Sequence, residues 1–228
     1  MKALLYKELK LAMHPVCYVF IALFPFMILI PSYPLFVGFI YVLVCYPVLF
    51  LGANKGQQSN DLLYSVLLPI RKKDIVLARI MTVILMQLAF IAIMSCLYPL
   101  AVIVNNAARE ADPELQSIGL GLNGYVSVLA IAVIGYAIAD IIYFPIYYKK
   151  GKSIVLSTLL MIFGTAIFLT VFTVIIPYIP GCEGYKTLLC DSGVGIQFAF
   201  LGGAIVLSML IHFITYKISA KRLELVDF

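Results

Sequence analysis

Apolar residues occupy this chain in long blocks, and charge appears only in narrow bands between them. Residues 15–53 contain no charged side chain, and the Pro-Ser-Tyr-Pro run at 31–34 divides that block in two. A helix needs about 20 apolar residues to cross the hydrocarbon core of a bilayer. The two pieces therefore read as spans at about 15–31 and 35–53, joined by a tight hairpin. Pro25 and Pro47 lie inside them, where each removes a helix hydrogen bond and predicts a kink. The same pattern places four more spans at about 75–104, 122–144, 154–176 and 195–216. The expected architecture is an all-α integral membrane protein, a six-span helical bundle forming one permease-like domain over 1–228.

Between these blocks the polar bands have distinct characters. Residues 1–14 are basic and amphipathic: Leu4, Leu5, Leu9 and Ala12 fall on one side, and Lys2, Lys7, Glu8 and Lys10 on the other. That pattern predicts a helix lying along the membrane surface with its charges in water. Residues 105–119 carry Arg109, Glu110, Asp112 and Glu114 and read as a polar external loop. A second external loop at 177–193 holds Cys182 and Cys190, which either close a small disulfide loop or remain free thiols. Every lysine and arginine except Arg109 and Lys186 falls in a segment assigned to the inner side. Such an asymmetry places both termini in the cytoplasm.

Composition agrees with the pattern and narrows the function. With 64% hydrophobic and 12% charged residues, the chain lacks the polar surface that a soluble domain of 228 residues requires. The net charge of +5 resides at span ends, where it sets topology, so nucleic-acid binding is not indicated. Cys17, Cys45 and Cys96 sit in apolar runs with no metal spacing, where cysteine behaves as a small hydrophobe.

The longest internal segment that carries charge is 59–79, SNDLLYSVLLPIRKKDIVLAR. Ser59, Asn60 and Asp61 can each cap a helix, Leu62, Leu63, Val66 and Leu67 share one face of it, and Pro69 ends it. Arg71, Lys72 and Lys73 then mark a membrane surface, and Asp74 is placed to cap the long apolar helix that follows.

In this stretch the chain resembles the permease subunits of ABC-2-type ATP-binding cassette exporters. Those proteins carry a short cytoplasmic coupling helix between spans two and three, with a similar Leu-Leu, Ser, Leu-Pro, Arg-Lys, Ile-Val progression, that docks in a cleft of the ATPase. Here the run reads LLYSVLLPIRKKDIVLAR from Leu62, with Val66 inserted after Ser65. The resemblance implies a coupling helix at 59–68, contact with the ATPase through Asp61, Leu62, Leu63, Val66, Leu67, Arg71 and Lys72, and an interface helix at 1–14. It also implies a second permease copy or paralogue, with ATP and Mg bound by the partner ATPase and no cofactor on this chain. The implied setting is a multi-pass protein of the bacterial plasma membrane. Short members with this layout resemble exporters of amphipathic, membrane-active peptides, the phenol-soluble modulin type among them; lipid-like or drug cargo stays open.

Chemistry-bearing residues are few. Asp140 is the one carboxylate inside an expected span, which makes it a candidate for a pathway or coupling role. Its expected partners are inner headgroups or a cytoplasmic lysine. Gln87 and Gln197 either line a pathway or hydrogen-bond between helices. His14 and His212 have no spacing for a metal and read as interfacial histidines. Gly151-Lys152-Ser153 has the ending of a phosphate-binding loop, but Ile146 stands where that loop needs glycine. No catalytic triad, metalloprotease helix or carboxylate pair occurs, so the chain is not read as an enzyme. In the last span Gly195, Ala199 and Gly203 recur every four residues, a spacing that lets helices approach closely, either within the chain or between subunits.

Overall fold

The computed structural model describes residues 2–13, 15–29, 39–47, 71–111, 125–149, 154–172 and 194–225. Among them all regular structure is helical. Helix α1, Lys2–Lys7, continues as a wider π-type turn over Glu8–Ala12; α2, Pro15–Leu23, tightens into a 3-10 stretch over Phe24–Leu29. Pro25 stands at the start of that tightened stretch, where its missing N–H interrupts the α ladder. Helix α3 is a π-type segment at Tyr41–Cys45 running up to Pro47. The four remaining helices are α4, Lys72–Ala111; α5, Tyr125–Lys149; α6, Ile154–Thr170; and α7, Val194–Glu224.

Three of these helices, α4, α5 and α7, are long and apolar enough to cross a membrane. The bent pair at the N-terminus makes a fourth if it counts as one span, its pieces meeting at 77°. The chain is thus a helical membrane protein, and α6 is a shorter apolar helix beside α5.

Helix ends depart from the sequence expectation in an instructive way. α4 starts at Lys72, and Asp74 is in its first turn, donating its N–H to the Arg71 carbonyl at 2.9 Å, so Asp74 is not the cap residue. Its carboxylate still favours the positive end of the helix dipole. At the other end α4 runs through Asn105, Arg109 and Glu110 to Ala111, where an external loop is expected. With 40 residues it is about 60 Å long, twice the hydrocarbon thickness. Pro99 is accommodated within it. α7 likewise continues to Glu224, past the point where apolarity ends, because charged residues of good helix propensity extend a helix into water, whereas α5 reaches Lys149 through the apolar Pro145-Ile146-Tyr147-Tyr148 run.

Long-range contacts fix the relative directions. Arg79 meets Tyr147 and Gln87 meets Asp140, so α4 and α5 are antiparallel. Lys73 meets Glu224 at the foot of α4 and the end of α7, so these two are antiparallel as well. α5 and α7 therefore run in the same direction and form the most extensive packing of the bundle. As a result the start of α4 and the ends of α5 and α7 share one end of the molecule, and Lys72, Lys73, Lys149, Lys217, Lys221 and Arg222 collect there.

The core is a column of large aromatic side chains. Tyr41 packs at 5.3 Å from Phe90 and 5.0 Å from Tyr136, and Tyr46 lies 5.2 Å from Tyr143, measured between ring centres. All five rings are fully buried. These rings stand beside fully buried small residues of α5, Ala130, Ala132, Ala137 and Ala139, of the kind common between membrane helices.

Candidate functional site

At the level of residue 140 four helical segments bring polar groups to one point. Asp140, on α5, has no exposed surface. Its Oδ1 accepts a hydrogen bond from the Tyr46 hydroxyl at 2.6 Å. Its Oδ2 accepts from Gln87 Nε2 at 3.0 Å and pairs with His212 Nε2 at 2.8 Å. The donors come from the α3 region, α4 and α7 respectively, so a single carboxylate ties three other segments to α5. Tyr46 and Gln87 are buried too, and the His212 side chain is 12% exposed.

This geometry corrects two expectations. Asp140 does not reach headgroups or a cytoplasmic lysine; the partner is His212. His212 is correspondingly not an isolated interfacial histidine, because its ring faces a carboxylate inside the bundle. A charged carboxylate deep in apolar surroundings demands a counter-charge and hydrogen bonds. His212 is the one titratable basic side chain within the apolar part of the last helix, a hint of a buried partner that does not say which residue it meets.

A second buried polar group lies nearer the basic end. Arg79 on α4 donates from Nε to Glu8 Oε2 at 3.0 Å and from a terminal nitrogen to the Tyr147 hydroxyl at 3.2 Å. Glu8 and Arg79 are only 3% and 7% exposed. Glu8, expected in water, is instead the anchor of the N-terminal segment on the bundle, with Lys7 3.7 Å from its other oxygen. Leu4, expected on the lipid side, is buried alongside. The Tyr18 hydroxyl donates to the Leu9 carbonyl, which fastens the bend between the two N-terminal pieces. An amphipathic pattern reports that one face is apolar, and it cannot report that a protein surface rather than lipid covers the other.

Of the residues singled out by sequence, Gln87 and Asp140 meet directly. Gln197 is buried but stands 15 residues before His212 on α7, about 22 Å along the helix, and belongs to a different level. Arg71 is exposed just ahead of α4, and Lys72 opens the helix half-buried. Asp61, Leu62, Leu63, Val66 and Leu67, together with Cys182 and Cys190, lie outside the described residues. Among the described residues no group of three or more histidine, cysteine, aspartate or glutamate side chains could hold a metal ion.

Compared with known families, the chain matches the ABC-2 family transporter protein over residues 3–224. The chain belongs to that family. The match takes in both buried polar groups as well as the segment 59–68, and it makes the chain the membrane component of an ABC transporter rather than a catalytic subunit. No curated protein and no solved structure matches it.

Proposed function

We propose that this permease moves hydrophobic or amphipathic cargo, membrane-active peptides in the first place, out of a bacterial cell through a six-span bundle. Two copies, or one copy and a paralogue, enclose the pathway. ATP, with Mg, is hydrolysed by separate ATPase subunits bound at the cytoplasmic face. The family match over 3–224 is the observation that carries this reading.

The geometry adds support in two places. The basic ends of α4, α5 and α7 lie together, as the cytoplasmic end of a permease would under the positive-inside rule. Residues 59–68 precede α4 closely in the sequence, so an ATPase pressing on them would act next to the helix that carries both Arg79 and Gln87. With α1 anchored to Arg79, the N-terminal segment would move with α4. As for cargo, the buried charged residues Glu8, Arg79 and Asp140 are all engaged with protein partners, which disfavours a strongly ionic solute.

Co-purification with the ATPase of the same transporter tests the assignment, followed by ATP turnover of wild type and a Leu63→Asp, Leu67→Asp double variant. Wild type should bind and stimulate turnover while the folded double variant does neither. Normal binding and turnover by the variant would remove the coupling-helix role. A wild-type chain that neither stimulates turnover nor moves peptide, lipid or drug into vesicles would instead be a non-transporting adaptor or sensor.

A further inference from the structure

We infer that Asp140 and His212 form a proton-binding site inside the bundle, and that the bound proton is what fastens α7 to α5. The argument begins at the far side of the imidazole. His212 Nδ1 lies 2.7 Å from the Ser208 carbonyl oxygen, with the Ser208 hydroxyl at 3.2 Å. A carbonyl oxygen only accepts and is the nearer of the two Ser208 groups, which favours the hydrogen on Nδ1 over the tautomer in which the hydroxyl donates to that nitrogen. The other nitrogen, Nε2, lies 2.8 Å from Asp140 Oδ2. A neutral imidazole protonated at Nδ1 has a lone pair on Nε2, and a lone pair cannot face an ionised carboxylate at that distance without repulsion. One additional proton must therefore sit between the two atoms, on Nε2 as an imidazolium or on the carboxyl.

Charge balance leads to the same result. The other partners of Asp140, Tyr46 and Gln87, are neutral donors. With the proton in place the cluster is neutral overall; without it, a net negative charge remains in a fully buried position. Among the described residues no neighbouring cation is placed to take over. On α4 the nearest charge is Arg79, two turns away and engaged by Glu8. On α7 it is Lys217, which lies over the Phe213 ring. From α5 Tyr136 and Tyr143 face the cluster, from the α3 region Tyr41 and Cys45, and from α2 Cys17, all uncharged at neutral pH.

With the Ser208 carbonyl, the shorter of the two contacts, holding the hydrogen on Nδ1, loss of the proton to water through His212, the less buried member, leaves a carboxylate facing the Nε2 lone pair and opens the 2.8 Å contact. Tyr46 and Gln87 can keep their bonds to Asp140, so the link that opens is the one between α5 and α7. The site holds its link when protonated and releases it when pH rises past the point of proton loss. This step needs no cargo and no ATPase, and it stands or falls separately from the export reading.

The test uses the full chain in lipid nanodiscs, with His14→Gln leaving His212 as the single histidine. Nitrogen resonances of the labelled imidazole and the carbon resonance of the labelled Asp140 carboxyl are followed from about pH 5 to about pH 9. Asp140→Asn supplies the carboxyl assignment. At neutral pH the pair should show one excess proton, either as two protonated ring nitrogens or as a protonated carboxyl. That proton should leave in one step, and backbone amide signals of α5 and α7 around residues 140 and 212 should shift in the same step. A neutral imidazole beside an ionised Asp140 throughout the range overturns the site. Loss of the proton with those amide signals unmoved overturns the link between proton and helix contact. Wild-type titration decides both points even if the Asp140→Asn chain fails to fold.

Discussion

Arg79 and Glu8 lie 71 positions apart in the chain and 3.0 Å apart in space, with both side chains closed to solvent. The pair converts an amphipathic leader into a fixed part of the bundle at the foot of α4. Removing one member of a buried pair leaves the other charge uncompensated, which costs about 3 to 5 kcal/mol. Glu8→Ala should therefore destabilise the permease by about that amount in detergent unfolding. The Glu8→Ala, Arg79→Met double variant should lose less than Glu8→Ala and Arg79→Met added together. A double variant as unstable as the sum of the two single ones would show that the side chains act independently.

Lys73 and Glu224 offer a comparison at the same end of the molecule. Their ammonium and carboxylate are 3.2 Å apart, but the side chains are 55% and 45% exposed. Solvent screening and side-chain entropy leave such a pair little net value. Glu224→Gln should change unfolding stability by no more than about 0.5 kcal/mol, and any small effect should fade with added salt. A loss near that of Glu8→Ala would mean that this end is shielded from water, by lipid or by a partner subunit.

Asp140 should be the least replaceable polar residue of the bundle. Asp140→Ala strands Tyr46, Gln87 and His212 without their common acceptor, and a cost of about 2 to 4 kcal/mol is expected. Asp140→Asn keeps the shape and an acceptor oxygen, so it should cost less in stability. If the link between α5 and α7 takes part in the transport cycle, Asp140→Asn should still lower export by about tenfold, the equivalent of one unit in log rate. Reconstituted vesicles with matched protein levels provide the measurement, and full export by a stable Asn variant would limit Asp140 to a structural role.

How much of this was legible beforehand varies by level. Helical membrane character followed from uninterrupted apolar blocks such as 15–53, and the pairing of α4 with α5 follows once both are helices of opposite direction. Gln87 and Asp140 could be nominated because a polar side chain in an apolar block has few reasons to be there. Their meeting, and the arrival of His212 and Tyr46, could not, because which faces of four helices turn inward depends on packing. Tyrosine is ambiguous in the same way. Amphipathic enough to sit at a membrane interface, it here builds the interior column through Tyr41, Tyr46, Tyr136 and Tyr143. Helix ends at Ala111, Lys149 and Glu224 lie beyond the expected spans because hydropathy marks where the bilayer ends, and a hydrogen-bonded helix can continue past it.

Glycines on α5 and α6 should respond to the same substitution in the opposite direction from those on α7. A Cβ at Gly135 would stand 2.8 Å from the buried Phe39 ring, which has no room to yield, so Gly135→Ala should cost about 1 to 3 kcal/mol. At Gly164 the obstacle is the terminal methyl of Ile142, which can rotate aside, and the cost should be smaller. On α7 a Cβ at Gly195, Gly202 or Gly203 meets nothing within 4 Å. The stripe formed by Gly195, Ala199 and Gly203 thus touches no described helix of its own chain, although it has the spacing for close helix packing. In a single copy Gly203→Ala should be neutral or add up to about 1 kcal/mol through helix propensity alone. If a second copy packs on this stripe, the same substitution should weaken the dimer while leaving the monomer intact. Unfolding of the variant below and above the concentration of dimer formation separates the two: stabilisation at both concentrations would leave the stripe facing lipid.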